Sequence, residues 1–286
     1  MTWQGIEGHD RIVEQFRRAA ARGRLASSFL FAGPSGIGKR SFALALARAL
    51  LCETRSEAVL DPCGQCPACA QVAAGTHPDV LQVAKPADKS YLPLELLLGD
   101  KEHRGRRGLC HDIGLKPFAG GRRIAIIDDA DYLNAEGANC LLKTLEEPPP
   151  RSVLILVGTS PARQLPTIRS RCQLVRFDPL PEATVAELLL ARGHAKDAAE
   201  ARRMAAHGEG SPERAVELAG EELWSFRETL LGQLASPSLD SLRMAGMISE
   251  FVEAAGREAP ARRERLRLAA LFAAEFYRGR LMTRHG

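Results

Sequence analysis

The 286-residue sequence has no apolar run approaching the roughly 20 residues of a membrane span, so no transmembrane segment is expected. A secretory signal is not expected either: the N-terminus, MTWQGIEGHDRIVEQF, is polar and carries acids early. Net charge is small, 39 Lys and Arg against 35 Asp and Glu for +4 at pH 7. That is too mild to indicate a nucleic-acid binder by charge alone. Internal repeats and low-complexity tracts are absent. With 45% apolar and 26% charged residues the composition is that of an ordinary globular protein, which excludes disorder across the whole chain. The length suits two or three domains and can bury a sizeable core without covalent staples. A cytoplasmic, reducing setting follows as the default, where the seven cysteines are not expected to form a disulfide framework.

What is present is an alternation of helices and short apolar runs. Residues 9–24 read as an amphipathic helix with Ile12, Val13, Phe16 and Ala20 on one stripe. Strand candidates are 28–32, 80–83, 123–127, 152–157 and 173–177, separated by helical stretches such as Ser41 to Leu51 and Ala135 to Leu145. Continuous apolar strands alternating with helices predict an α/β fold whose parallel sheet is covered on both faces. After Pro179-Leu180-Pro181 no strand candidate recurs. Residues 182–219 read as short helices, and 221–282 as two or three longer ones, broken near Ser236-Pro237-Ser238 and between Gly256 and Pro260. The polar, basic stretch 99–108 reads as an exposed loop.

Three constellations carry chemistry. Gly33-Pro34-Ser35-Gly36-Ile37-Gly38-Lys39 fits G-x-x-x-x-G-K between a strand and a helix, the context in which backbone N–H groups ring a phosphate and Lys39 reaches the β/γ-phosphates. The bland alternative is a glycine-rich turn without a ligand. The next position calls for a Ser or Thr hydroxyl on Mg²⁺ but holds Arg40, whose guanidinium cannot ligate a cation. Ser41 lies about 100° further round the helix and substitutes poorly. Second, the strand Ile124 to Ile127 ends in Asp128 and Asp129. Asp128 stands where a P-loop ATPase places its metal-associated acid. Asp129 stands where a water-polarising Glu is usual, and is one methylene shorter. Solvated acids at a strand end are the alternative. Third, Cys63-Gly-Gln-Cys66-Pro-Ala-Cys69, preceded by Cys52, offers four thiolates that can close a tetrahedral structural Zn²⁺ site. A redox pair or buried free thiols are the alternatives, and His77 could replace one thiol. Cys110, Cys140 and Cys172 lack ligand spacing and read as small apolar residues.

These motifs occur in a particular order: G-P-S-G-I-G-K, C-x₂-C-x₂-C, T-H-P-D, I-I-D-D-A-D, L-L-K-T-L-E-E-P-P, I-R-S-R-C and G-S-P-E-R-A. Together they resemble the delta-prime family of bacterial DNA polymerase III clamp-loader subunits, members of the AAA+ ATPases. The resemblance covers roughly residues 5 to 220. It implies a P-loop AAA+ core over 1–179 with a zinc-binding insertion at about 52–79. A small helical lid over 180–220 and a short helical collar over 221–286 would follow. It implies sibling subunits in a hetero-pentameric ring that places a sliding clamp on primer–template DNA. It also implies that Arg171, in S-R-C, is an arginine finger supplied in trans to a neighbour's ATP site. On the residues alone Arg171 is a surface arginine. Thr159 or Ser160 falls near the sensor-1 position. The sensor-2 arginine expected after G-S-x is replaced by Glu213, with Arg214 one residue on. Arg40, Asp129 and Glu213 together predict weak or absent ATP binding and hydrolysis. Two other readings stay open: an independently active P-loop enzyme such as a nucleotide kinase, which needs its own Mg²⁺ ligand after Lys39, and a zinc nucleic-acid-binding module using Arg104, Arg106, Arg107 or the C-terminal arginines Arg262, Arg263, Arg265 and Arg267.

Overall fold

The computed structural model describes residues 3–119, 121–236, 238 and 240–285. The chain divides into two compact units, 1–215 and 216–286.

The first unit is built on five strands: β1 (Ser28–Ala32), β2 (Val80–Val83), β3 (Arg123–Ile127), β4 (Ser152–Gly158) and β5 (Gln173–Arg176). All pairings are parallel, in the order β2-β3-β4-β1-β5. All five coincide with the predicted apolar runs to within a residue. The helices are α1 (Asp10–Ala21), α2 (Lys39–Leu50), α3 (Pro67–Ala74), α4 (Leu94–Leu98), α5 (Leu109–Asp112), α6 (Ala135–Glu146) and α7 (Pro166–Arg169). They are followed by α8 (Glu182–Ala191), α9 (Ala198–His207) and α10 (Pro212–Glu217). Because successive strand side chains point to opposite faces, the central strands β1, β3 and β4 each feed two cores. Phe29, Phe31, Ile124, Ile126, Val153 and Ile155 pack with Phe16, Phe42 and Leu46 on one face. Leu30, Ala125, Ile127, Leu154 and Leu156 pack with Leu141 and Ile168 on the other. The first core is aromatic at its centre, with Phe42 lying 5.7 Å from Phe31 and 5.2 Å from Phe177 between ring centroids. Emptying the fully buried Phe42 site by alanine substitution would cost about 3–5 kcal/mol.

The predicted stripe of α1 is the face that it buries: Ile12, Val13, Phe16 and Ala20. Helices α8 and α9 enclose a separate small core of Leu180, Val185, Leu189, Ala201 and Met204. The loop 99–108 is largely exposed, as expected. Among the described residues no strand follows β5.

The second unit holds α11 (Glu221–Ala235), α12 (Ser241–Glu253) and α13 (Ala259–His285). The two predicted breaks separate these helices; Pro237 lies outside the described residues. Its core stacks Phe226 on Phe251, with Leu230 and Phe272 beside them. Arg265 binds both carboxylate oxygens of Glu222 and the Phe251 carbonyl. Arg267 pairs with Glu264, and Arg262 and Arg263 bond to carbonyls of their own neighbourhood.

Candidate functional site

The carboxyl ends of parallel strands form the crevice where ligands bind in open α/β sheets. Here that edge collects the loop after β1, the acids after β3 and the turn after β4. The loop 33–38 needs its glycines. Gly36 and Gly38 have φ of +72° and +94°, left-handed values that L side chains rarely adopt. A Cβ on Gly33 would meet the Phe177 carbonyl oxygen at 2.2 Å. The His9 ring, predicted only as the first residue of a helix and found as the cap before α1, bonds to the Ile37 carbonyl oxygen at 2.8 Å and packs edge-on against Phe177. Burial holds its imidazole below the usual value.

Lys39 opens α2 but is turned back on its own loop, donating to the carbonyls of Gly33 (2.8 Å) and Pro34. It is buried, and that burial holds its ammonium below the usual lysine range against the pull of Asp128, Asp131 and Glu213. Arg40 brings its Nε to 3.6 Å from Asp128 Oδ2 and also reaches Gln82. A guanidinium therefore faces the acid to which the motif assigns the metal. Burial, with Asp129 adjoining, raises the Asp128 carboxyl above its usual range. Asp129 itself has a left-handed φ of 55° and donates its N–H to Asp128 Oδ1. Ser41 is exposed on α2.

The turn before α10 closes over the loop. A Cβ on Gly36 would lie 2.3 Å from Ser211 Oγ and 2.8 Å from Glu213 Oε2. The acid standing in the sensor-2 place therefore lies against the phosphate loop, while Arg214 turns to Glu209 at 3.3 Å. The turn is fixed to the core by a bond from the Leu180 N–H to the Gly210 carbonyl.

Sequence reasoning missed Asp131 as an organiser. Its carboxylate accepts from the Thr159 N–H (2.8 Å), the Thr159 hydroxyl and Gln164 Nε2 (2.7 Å), with Arg163 at 3.9 Å. It thus locks the turn after β4 to the end of β3. Of the two sensor-1 candidates, Thr159 is engaged in this network, whereas the Ser160 hydroxyl caps a short turn through the Ala162 N–H. No local spacing signals these pairs.

Arg171 follows α7, two residues before the edge strand β5. It is exposed. Its guanidinium pairs with Glu146 at 2.5 Å and donates to the Thr167 carbonyl and Ser170 Oγ.

The four predicted cysteines meet. One sulfur each from Cys52, Cys63, Cys66 and Cys69 lies within 4.8 Å of all the others, the one such cluster found among the described residues. A tetrahedron with Zn–S bonds of 2.3 Å sets its sulfurs about 3.8 Å apart, so a small contraction suffices. Backbone N–H groups already point at the sulfurs: Cys66 and Gln65 donate to Cys63, Cys69 to Cys66, and Cys63 to Cys52. Bonds from the Thr54 hydroxyl and those N–H groups bring the Cys63 thiol down to about 6, while burial pushes Cys69 up to about 12. The donor set is compatible with a zinc site. His77 lies outside the cluster; its Nδ1 accepts from the Asp79 N–H. The fully buried Asp79 in turn accepts from the N–H groups of Phe118 and Ala119 and faces Arg123 at 3.6 Å.

A strand order of 2-3-4-1-5, a phosphate loop between β1 and α2 and acids at the end of β3 define an AAA+ P-loop core, followed by a helical C-terminal part. Residues 8–181 match the family described as "DNA polymerase III, delta subunit", and the chain belongs to that family. It is 38% identical to DNA polymerase III subunit delta' of Pseudomonas aeruginosa over 203 residues, 70% of this chain and 58% of that protein. It is 34% identical to subunit delta' of Escherichia coli over 215 residues, 74% and 60%. DNA polymerase III subunit tau of Bacillus subtilis is 33% identical over 176 residues, 62% and 28%. The chain spans little more than half the length of the first of these relatives. Among solved structures, the RuvB Holliday junction branch migration motor of Thermotoga maritima is similar with a TM-score of 0.45 at 16% identity, over 86% of this chain and 70% of that one.

Proposed function

We propose that this chain is a delta-prime-type subunit of a bacterial DNA polymerase III clamp loader. It works in the cytoplasm beside sibling subunits in a five-membered ring that places a sliding clamp on primed DNA. Family membership over residues 8–181 supports the assembly. In this reading residues 1–179 form the ATPase-type core, 180–220 the lid and 221–286 the collar. Among the described residues no helix is long and apolar enough to cross a membrane.

The subunit's own site does not turn over ATP. The observation that carries this is the 3.6 Å approach of Arg40 to Asp128. The side chains do not fit a Mg²⁺–nucleotide: a guanidinium stands where the cation needs a hydroxyl ligand, and Glu213 sets a carboxylate against Gly36. The same pair weighs against a free-standing nucleotide kinase. The subunit contributes instead Arg171, which reaches a neighbour's nucleotide once released from Glu146. It also contributes a zinc-stiffened insertion, in which Cys52, Cys63, Cys66 and Cys69 hold a structural Zn²⁺. The test is reconstitution. The isolated chain should show no Mg²⁺-dependent ATPase, and the ring assembled with siblings should lose clamp loading when this chain is omitted. ATPase by the pure chain that is abolished by Lys39→Ala would overturn the reading.

A further inference from the structure

Three of the seven cysteines stand apart from the four-sulfur cluster. Cys172 is buried, has no partner thiol, and is pushed up to about 12 by that burial, which makes it inert. Cys110 and Cys140 differ. They lie 30 positions apart in sequence, on α5 and α6, yet their sulfurs are 4.0 Å apart. Both are half-buried, so a small oxidant can reach them without unfolding. The Cys110 sulfur also faces the Cys140 carbonyl at 3.8 Å, and the Cys140 thiol sits 2.9 Å from the Gly137 carbonyl.

From this juxtaposition we infer that Cys110 and Cys140 form a hydroperoxide-sensitive dithiol that closes to an intramolecular disulfide. Two features make the closure feasible. A disulfide requires the sulfurs to approach to about 2.05 Å, so each must travel about 1 Å, within reach of side-chain rotation and a small shift. The element that has to give is α5, a single turn of four residues between Gly108, at φ +91°, and Gly114. The roles within the pair follow from the donor geometry. The Cys140 thiol donates to the Gly137 carbonyl and so keeps its proton, and the hydrogen bond between the two sulfurs lowers Cys110 and raises Cys140. Cys110 is therefore the attacking thiolate. Its sulfur takes an OH⁺ equivalent from the peroxide, the O–O bond breaks, and the released hydroxide becomes water with one proton, leaving Cys110 as sulfenic acid. The Cys140 sulfur then attacks the Cys110 sulfur, and the sulfenic oxygen leaves as a second water with the Cys140 proton. Two thiols lose two electrons, and one hydrogen peroxide becomes two waters. A dithiol reductant reverses the step.

The experiment treats the full-length chain with one to a few equivalents of hydrogen peroxide, blocks remaining thiols with iodoacetamide, and maps tryptic peptides by mass. A cross-linked peptide joining Cys110 to Cys140, two hydrogens lighter than the reduced pair and lost with dithiothreitol, is the expected result. In the unsubstituted chain, dimedone added during the first minutes should label Cys110 and lower the cross-link yield. In Cys140→Ser the Cys110 label should accumulate several-fold. Recovery of both residues as alkylated thiols, at peroxide levels that consume free glutathione, would overturn the inference. So would a cross-link from Cys110 to any other cysteine, or dimedone labelling of Cys140 before Cys110.

Discussion

Arg171→Ala, in a chain assembled with its siblings, is the perturbation that separates the finger from an ordinary surface arginine. The guanidinium is held by Glu146, and the two side chains are 33% and 49% exposed. Ion pairs this open contribute about 0.2–1 kcal/mol, so releasing Arg171 toward a neighbour costs no more than about fivefold in rate. An arginine finger is worth about 10³–10⁵ in rate at the site it serves, or about 4–7 kcal/mol. The tether therefore cannot cancel the finger. Arg171→Ala should leave assembly intact, as judged by gel filtration, and lower clamp- and DNA-stimulated ATPase at the contacted site by about 10³ or more. Arg171→Lys should fail nearly as badly, because an ammonium lacks the planar fork. Glu146→Gln should keep activity within about fivefold and shift it upward, since it loosens only the tether. If Arg171→Ala assembles and loads clamps at the unsubstituted rate, the trans role is wrong. If Glu146→Gln falls as far as Arg171→Ala, the pair acts as structure and not as a holster.

Metal analysis of protein purified without chelator should find one zinc per chain, and Cys66→Ser should release it and speed amide exchange over 52–79 while the sheet stays protected. Arg40→Ser should tighten Mg²⁺–nucleotide binding in calorimetry by removing the cation opposite Asp128, yet leave turnover undetectable because Asp129 and Glu213 remain; full turnover from this single change would refute the account of the site. The His9 imidazole ionises less readily folded than unfolded because of burial. The unfolded chain therefore takes up the extra proton below the ordinary imidazole value of about 6.5, and stability should fall as pH drops from there toward 5. His9→Gln should flatten that part of the profile in thermal unfolding, and an unchanged slope would remove His9 as its source.

The sheet was legible because its central strands β1, β3 and β4 are buried on both faces and therefore read as apolar runs, β4 most plainly, while the edge strands β2 and β5 are short and partly exposed. The four-cysteine cluster was legible because Cys63, Cys66 and Cys69 sit at short, regular spacing with Cys52 not far before them. The single-turn helices α4 and α5 carry too few residues to show a period. Asp131 could be seen as one more acid in I-I-D-D-A-D, but its partners Thr159 and Gln164 lie 28 and 33 positions away. His9 is likewise 28 positions from Ile37. Glu213 was conspicuous as an acid in a basic position. Only the packing of Ser211 and Glu213 over Gly36 turned that oddity into a steric fact. Contacts of this kind depend on how the chain closes on itself, which no local pattern encodes.

The placement of the cysteines has a consequence for how the edge of the sheet assembles. Between α2 and β2 the chain makes an excursion of about 30 residues before β2 can pair with β3. A metal joining Cys52 to Cys69 near the root of that excursion would short-circuit it, leaving about 13 residues of free chain to close. In loop-closure terms the saving is about 0.7 kcal/mol, or roughly a threefold higher probability that β2 meets its register partner. The insertion then behaves as a polymer tether gathered at its base. Its effect would be kinetic: early metal capture would hasten docking of β2 onto β3, and a chain refolded without metal would complete that edge last.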